Sequence, residues 1–346
     1  MGYQTNRHFF WLIFLLFLSF GCTDNDPTLR LVGKTMGTDY HIQIIPPVNK
    51  ATIPSIQYLQ ADIDKILDSI NHSMSTYLPD SEVSLFNQYL KTDWYPISEN
   101  LYQVIAAAQK VSRQTQGAFD ITVSPLVDLW GFGASTRLEI PTDGQINEAL
   151  QHVGYNKIQL RQNPPALRKQ DSQVHIDLSA IAKGFAVDQV SNYLQQSGYA
   201  NYLVEIGGEV RVAGNKASGQ AWKLAIESPN VTQTKGTINK VIQVRDTGLA
   251  TSGDYRNYYI KNGKRYAHTL NPVTGRPVSH RLASVTVLHP SAMMADALAT
   301  ALMVMGEEQG WKFARKNALQ VNMIIRTQKE FITQAHLLGK SEKVKN

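Results

Sequence analysis

The 346-residue chain contains a single cysteine, Cys22, and this feature most constrains how it can fold. A lone cysteine excludes an internal disulfide, so the fold has to be held together by its hydrophobic core. The same count removes thiol catalysis and cysteine metal sites from consideration. About 325 residues follow the first 21, which is enough for one large domain or two closely joined lobes.

The first 21 residues have the layout of a signal peptide. Arg7 precedes residues 9–20, an apolar run broken only by one serine. Twelve residues are too few for a transmembrane helix, which needs about 20. Residues 18–22 (LSFGC) resemble a bacterial lipobox, although the serine and the phenylalanine are imperfect matches. We therefore expect export, cleavage before Cys22 and a lipid anchor there on the periplasmic side of a bacterial membrane; the alternative is an ordinary signal peptide cut elsewhere.

Charge is spread along the rest of the chain. The formal net charge is +6, part of which lies in a lysine-rich tail at residues 338–346. No basic block is interleaved with aromatic residues, so nucleic acid is not an expected partner. We predict a polar linker at residues 22–29, a folded domain at residues 30–337 and a disordered basic tail.

Hydrophobic periodicity predicts both helices and strands. Helical spacing covers residues 56–70, 98–116, 142–152, 182–196 and 292–305, with Ser98 as a candidate N-cap. Strands are predicted at residues 40–44, 174–177, 202–206, 210–213, 222–227, 241–244, 319–325 and 330–333. Asn262-Gly263 predicts a hairpin that joins residues 258–260 to 266–269. Because helices and strands do not alternate strictly, the expected class is α+β.

Asp296 and Thr300 are four residues apart in a predicted helix, so their oxygens project from one face. A carboxylate and a hydroxyl suit Mg²⁺ or Ca²⁺, and so sparse a set implies a phosphate-bearing ligand that completes the coordination shell. The alternative is a side-chain hydrogen bond or a solvated helix face.

Residues 177–184 (DLSAIAKG) lie where a predicted strand runs into a helix. The N–H groups of a helix's first turn attract anions, and Lys183 adds a positive charge, so this segment is a candidate phosphate site. Alternatively, Asp177 or Ser179 is an ordinary N-cap and Lys183 lies on the surface.

Polar residues crowd the predicted hairpin. In residues 251–259 (TSGDYRNYY), Arg256 is a candidate for forked pairing with a phosphate, and His268 beyond the hairpin is a candidate general base. A histidine on a strand is also commonly structural. Residues 117–125 (GAFDITVSP) and 129–133 (LWGFG) combine glycines and aromatics, which line a flat-ring pocket or anchor a core.

Together these segments resemble the FAD:protein FMN transferase family, often called ApbE-type flavin transferases. The resemblance covers nearly all of the chain after Cys22, in family order. Its segments are Met36-Gly37-Thr38, Ser75-Thr76-Tyr77, Ser81-Glu82-Val83, residues 117–125, residues 129–133, residues 177–184, Gly207-Gly208, residues 251–259, residues 268–277 and residues 296–300. One departure is Glu205, where many relatives carry asparagine before the glycine pair.

The resemblance implies an activity and a fold. The family binds FAD with Mg²⁺, splits the diphosphate, joins FMN to a threonine or serine of another protein through a phosphoester, and releases AMP. The implied fold is a single α+β domain, related to the T-fold, of two lobes with FAD in the groove between them.

The resemblance also assigns roles by matched position. Asp296 and Thr300 correspond to side-chain metal ligands, and Ala180 to a backbone carbonyl ligand. His268 corresponds to the base that activates the acceptor, with Asp296 and Arg256 as further catalytic residues. The FAD-contacting positions are Met36, Tyr77, Ala118, Phe119, Asp120, Lys183 and Leu270.

The implied partners are flavoprotein subunits of membrane electron-transfer complexes, such as NADH:quinone reductase or related complexes. Two other functions remain open. The chain is alternatively an FAD diphosphatase that uses water as the acceptor, or a flavin-binding lipoprotein without catalytic activity.

Overall fold

A computed structural model describes residues 26–47, 55–133, 139–229, 238–255, 257–328, 330–336 and 341–342. Cys22, Arg256 and the predicted signal peptide lie outside the described residues. The helices are α1 Ile56–Met74, α2 Glu82–Gln88, α3 Glu99–Gln114, α4 Ser124–Leu129, α5 Asp143–Leu150, α6 Ala182–Gln196 and α7 Ala292–Lys316. The strands are β1 Leu29–Thr35, β2 Thr38–Ile45, β3 Tyr95–Pro96, β4 Ile158–Arg161, β5 Ala166–Lys169, β6 Asn201–Ile206, β7 Glu209–Ala213, β8 Trp222–Glu227, β9 Ile238–Val244, β10 Thr247–Gly253, β11 Tyr258–Lys261, β12 Lys264–Ala267, β13 Leu270–Asn271, β14 Arg276–Pro277, β15 Leu282–His289, β16 Gln320–Arg326, β17 Phe331–His336 and β18 Ser341–Glu342.

An antiparallel sheet of eight strands organises the molecule, in the order β1-β2-β6-β7-β10-β15-β16-β17. The registers place several connections at one end of this sheet. The β1–β2 and β6–β7 turns, the end of β10, the start of β15 and the end of β16 all lie there. We call this the site end of the sheet, because the functional candidates gather there.

Both faces of the sheet are covered. Helices α1, α3, α6 and α7 pack on one face in the largest hydrophobic cluster, and β8 and β9 pack on the other. Strand β15 is buried along almost its whole length for this reason: Val285 and Val287 point to the helices, whereas Leu288 points to the β8–β9 layer. A strand buried on both faces loses the alternation that marks a half-exposed strand.

Helices α6 and α7 cap each other. The Asp188 carboxylate of α6 accepts hydrogen bonds from the backbone N–H groups of Ala292 and Met293, at 3.0 and 3.1 Å, at the start of α7. In return, Asp296 of α7 accepts the N–H of Gly184, in the first turn of α6, at 3.1 Å. At each helix N-terminus, where the first N–H groups lack intrahelical partners, a carboxylate of the neighbouring helix therefore accepts at least one of them.

A smaller hydrophobic cluster lies beside the main layers. It joins α4, α5 and the β11–β12 hairpin through Leu126, Trp130, Ile146 and Tyr266. Asn262 and Gly263 both have positive φ, 52° and 71°, in the hairpin turn. This matches the turn chemistry predicted for an Asn-Gly pair. Among the described residues, no helix combines the length and apolarity needed to span a bilayer.

Most predicted elements are confirmed within a few residues, and Ser98 Oγ caps α3 by accepting the N–H of Leu101. The strand predicted at residues 174–177 is wrong. The Asn87 side chain accepts a hydrogen bond from the Ile176 N–H and donates one to the Ile176 carbonyl. The Asp177 N–H donates to the Ile121 carbonyl, so neither residue pairs with a strand. Helices α2 and α4 and strands β1, β3, β4, β5, β10, β13, β14 and β15 were not predicted. Two residues of the predicted disordered tail form β18, which pairs with β9; the remainder of that tail lies outside the described residues.

Candidate active site

The predicted metal ligand Asp296 belongs to α7, and its side chain reaches the start of α6, where the segment predicted to bind phosphate lies. Asp296 is only 6% exposed, and one of its carboxylate oxygens accepts a hydrogen bond from the Gly184 N–H. Thr300 follows one turn later on α7, and Ala180 lies in the turn that leads into α6. Burial raises the pKa of Asp296, opposed by the charge of Lys183 and the Gly184 hydrogen bond.

These groups fit a hard cation. A carboxylate, a hydroxyl and a backbone carbonyl are all oxygen donors, which Mg²⁺ prefers. No cluster of three or more His, Cys, Asp or Glu side chains suited to a metal occurs in the described part of the chain. A cation here would therefore be held by few protein groups and would need oxygens from its ligand.

Lys183 pairs with a buried carboxylate that the sequence did not single out. Its Nζ lies 2.7 Å from Oε2 of Glu209, the first residue of β7, which is 4% exposed. Burial raises the pKa of Glu209 to about 7, the Lys183 charge opposes this, and the Asp296 charge adds to it. Lys183, Glu209 and Asp296 thus form one group of mutually interacting charges.

Met36 lies in one of two turns that meet at the site end. Met36 and Gly37 have φ of 49° and 71° in the β1–β2 turn. The Gly207 N–H bonds the Asp39 carbonyl at 3.2 Å, and a Cβ on Gly207 would lie 2.7 Å from the Thr38 side chain. Only glycine permits that approach at its φ of 58°. The two turns are therefore in contact, with Glu209 directly after the second.

Glu205, the departure from the family pattern, has a defined role in the same turn. Its Oε1 accepts the N–H of Gly208 at 2.6 Å, and its Oε2 lies 2.8 Å from Nδ1 of His41 on β2. The carboxylate therefore ties the β6–β7 turn to the adjacent strand.

His268 follows β12 with its ring oriented by the backbone. Its Nδ1 lies 2.9 Å from the Asn257 carbonyl, which only accepts, so Nδ1 carries the proton and Nε2 presents a lone pair. Burial lowers the pKa of His268, a shift that the Asn257 hydrogen bond and the Asp254 charge oppose and the Lys183 charge reinforces. A neutral imidazole with a free Nε2 is suited to accept a proton.

One of the FAD candidates, Asp120, lines a cavity of about 330 Å³. Its walls include Gly117, Asp120, Tyr155 and Pro272. Asp120 is fixed there, since its Oδ2 accepts the Tyr155 N–H at 2.6 Å and its Oδ1 accepts from Thr122. The residues Ala118 and Phe119 precede Asp120, and Leu270 precedes Pro272 by two positions. A cavity of about 510 Å³ lies at the opposite end of α6, lined by Gln195 and Tyr199, and is separate from this chemistry.

Two of the described residues that were predicted, Tyr77 and Asp177, show no contact with the group. Tyr77 is 69% exposed in the turn after α1, and no contact among the described residues ties it to Lys183 or His268. Arg256 lies outside the described residues. Asp177 accepts the Ser179 N–H at 2.7 Å and does not cap α6, so the predicted alternative of an Asp177 or Ser179 N-cap is wrong.

Comparison with known proteins agrees with this fold. A family model described as the ApbE family matches residues 36–325, and the chain belongs to that family. It is 43% identical over 324 residues to the FAD:protein FMN transferase of Vibrio cholerae, covering 93% of this chain and 95% of the relative. The corresponding protein of Haemophilus influenzae is 43% identical over 318 residues, with 91% of each chain covered.

Solved structures give the same result. The flavin transferase ApbE from Vibrio cholerae superposes with a TM-score of 0.82 at 42% identity, covering 90% of this chain and 98% of that one. The apo form of the Pseudomonas stutzeri flavinyl transferase ApbE also has a TM-score of 0.82, at 35% identity, with 90% and 95% covered. The predicted family and the α+β single-domain class are confirmed.

Sequence reasoning missed Glu209, Asp188 and Asp254. Each is a buried carboxylate whose partner lies far away along the chain. Glu209 directly follows the Gly207-Gly208 pair that had been noted, and this was the one available signal.

Proposed function

We propose that this protein transfers FMN from FAD to a threonine or serine hydroxyl of an acceptor protein and releases AMP. The observation that carries the proposal is the His268 side chain, whose Nδ1 donates to the Asn257 carbonyl and whose burial lowers the pKa of the ring. The relatives named FAD:protein FMN transferase support the same reaction.

The residues divide the reaction between them. His268 Nε2 accepts the proton of the acceptor hydroxyl as its oxygen bonds to the FMN phosphorus. The bond from that phosphorus to the bridging oxygen breaks, and AMP leaves with the electron pair. Lys183 and the first turn of α6 offset the negative charge of the diphosphate. Phosphoryl transfer depends chiefly on positioning and charge, which is what these residues would supply.

Mg²⁺ is part of the proposal. Asp296, Thr300 and the Ala180 carbonyl would hold it, at the start of α6 where the diphosphate is expected. When bound, the ion supplies Lewis-acid neutralisation of phosphate charge. The support is an all-oxygen donor set around a buried carboxylate.

The test uses the purified chain without its first 22 residues, with FAD, Mg²⁺ and an extract of its own host. We expect fluorescent, FMN-bearing protein bands and an equal amount of AMP. If AMP appears equally fast without any acceptor protein, the chain is an FAD diphosphatase. If flavin binds and exchanges without AMP, the chain is a flavin-binding protein and the transferase proposal is wrong.

We also propose a location and a class of acceptor. The layout of residues 1–22 supports export and lipidation of Cys22 on the periplasmic side of a bacterial membrane. An enzyme confined to that surface meets membrane-attached substrates more often than one in free solution. The proposed acceptors are accordingly flavoprotein subunits of membrane electron-transfer complexes, such as NADH:quinone reductase.

A further inference from the structure

Asp254 is a buried carboxylate between the main sheet and the hairpin that carries His268. It follows directly after β10 at the site end and is 7% exposed. Arg326, the last residue of β16, binds the Asp254 carboxylate through both terminal nitrogens of its guanidinium group. Its Nη1 lies 2.9 Å from Oδ2, and its Nη2 donates to Oδ1. A planar fork fixes the orientation of a carboxylate, which a lysine ammonium cannot do.

The β11–β12 hairpin also binds Asp254. Arg265 of β12 places its Nη2 3.5 Å from Asp254 Oδ1 and also donates from it to the Asp254 carbonyl. Its guanidinium lies 4.2 Å from the ring centroid of Tyr258 on β11. Asp254 therefore connects both strands of the hairpin to the end of β16.

The backbone completes the connection. The Asp254 N–H donates to the Ala283 carbonyl of β15 at 3.1 Å, so this residue is anchored on the main sheet. Three positions further on, the Asn257 carbonyl accepts both the backbone N–H and the Nδ1–H of His268. Arg326 therefore binds a residue three positions before the one whose carbonyl orients the imidazole.

We propose that Arg326, acting through Asp254, is a positioning residue that holds the His268 imidazole in the orientation a general base needs. The inference rests on the proposed transferase function. The hairpin forms its own two-stranded sheet, and no strand of it pairs with the eight-stranded sheet in the described residues. Its placement therefore depends on side-chain links such as this one and on the small cluster around Trp130. A displacement of about 1 Å in a reacting group costs on the order of 100-fold in rate.

The test replaces Arg326 with glutamine. We expect kcat for FMN transfer to fall about 10- to 100-fold while the Kd for FAD, measured by flavin fluorescence, changes less than about 3-fold. Arg326→Lys keeps the charge without the fork and should lie between the variant and the wild type. Arg281→Gln is the matched control, because this 65% exposed arginine makes an ion pair with Glu307 at the same end of the sheet and does not contact the hairpin residues described. It should retain wild-type kcat.

A double-mutant cycle separates positioning from general stability. In a His268→Ala background, where slow transfer is followed over long incubations, Arg326→Gln should cause no further loss. An equal further loss would show that Arg326 acts on the fold and would overturn the inference, as would a wild-type kcat in both Arg326 variants. If Arg326→Gln does not fold, Arg326→Lys decides alone. An inactive wild-type chain would instead count against the proposed function itself.

Discussion

At the scale of single residues, the Asn257 carbonyl determines which ring nitrogen of His268 carries the proton. Because burial lowers its pKa, the ring stays neutral below the ordinary histidine value of 6.5. A base works only when neutral, so activity is lost as pH falls through the folded-state pKa. We expect the acid limb of kcat/KM for FMN transfer to have its midpoint below pH 6.5, measured between about pH 5 and 9.

His268→Ala supplies the control for this profile. It should keep FAD binding, lose most transfer and lose the acid limb with it. An acid limb centred above 6.5, or wild-type transfer by His268→Ala, would contradict the assignment of the base.

Asp296 has two roles that substitutions can separate. Asparagine still offers an oxygen to the Gly184 N–H but lacks the charge for Mg²⁺, whereas alanine loses both. Both variants should lose Mg²⁺-dependent flavinylation, and Asp296→Ala should be less stable than Asp296→Asn by about 1–3 kcal/mol, the cost of an unsatisfied buried N–H. Urea unfolding measures the difference. Equal stability would mean that the hydrogen bond contributes nothing.

The residues found from sequence share a property that the missed ones lack. Asp296 and Thr300 became candidates through their spacing within one helix and His268 through its residue type, and the family resemblance then assigned their roles. Glu209 and Asp254 act through Lys183 and Arg326, which are 26 and 72 positions away respectively. No local pattern encodes such pairs, because they exist only once the sheet has formed.

At the scale of elements, the contact between α6 and α7 depends on Gly184. A Cβ there would lie 2.4 Å from the Ala292 carbonyl oxygen. In an open helix, alanine would gain about 0.5–1 kcal/mol over glycine, but forcing backbones apart costs about 1–3 kcal/mol, so Gly184→Ala should destabilise. Gly144→Ala in α5, where the nearest atom is 3.9 Å away, should be neutral or stabilising. Thermal unfolding of both variants checks the contrast; stabilisation by Gly184→Ala would refute the close contact.

Elements with local signals were predicted well, and those with distant causes were not. The Ser98 cap and the Asn262-Gly263 turn need only their neighbours in sequence. Residues 174–177 have a strand-like pattern, but their backbone bonds Asn87 and Ile121 instead of a strand. Strand β15 was missed because burial on both faces removes its alternation.

At the scale of the whole molecule, the proposed anchor and the catalytic domain should be separable. Cys22 lies outside the described residues, and the catalytic candidates that the structure describes all follow residue 35. Cys22→Ser should therefore move the protein from the membrane to the soluble fraction while kcat with a soluble acceptor stays at the wild-type value. Membrane fractionation and in-gel flavin fluorescence measure the two effects. Retention on membranes would exclude Cys22 as the anchor.

The mutual capping of α6 and α7 also limits how the family can exchange parts. Asp188 and Asp296 each complete the other helix, although 108 residues separate them in the chain. A chimaera whose crossover falls between them would combine an α6 from one parent with an α7 from another. Such hybrids should survive only where both parents carry both aspartates and the glycine between the helices. Helices α6 and α7 should therefore be inherited from the same parent. In a library made by recombining family members, few folded proteins should have a crossover between Asp188 and Asp296.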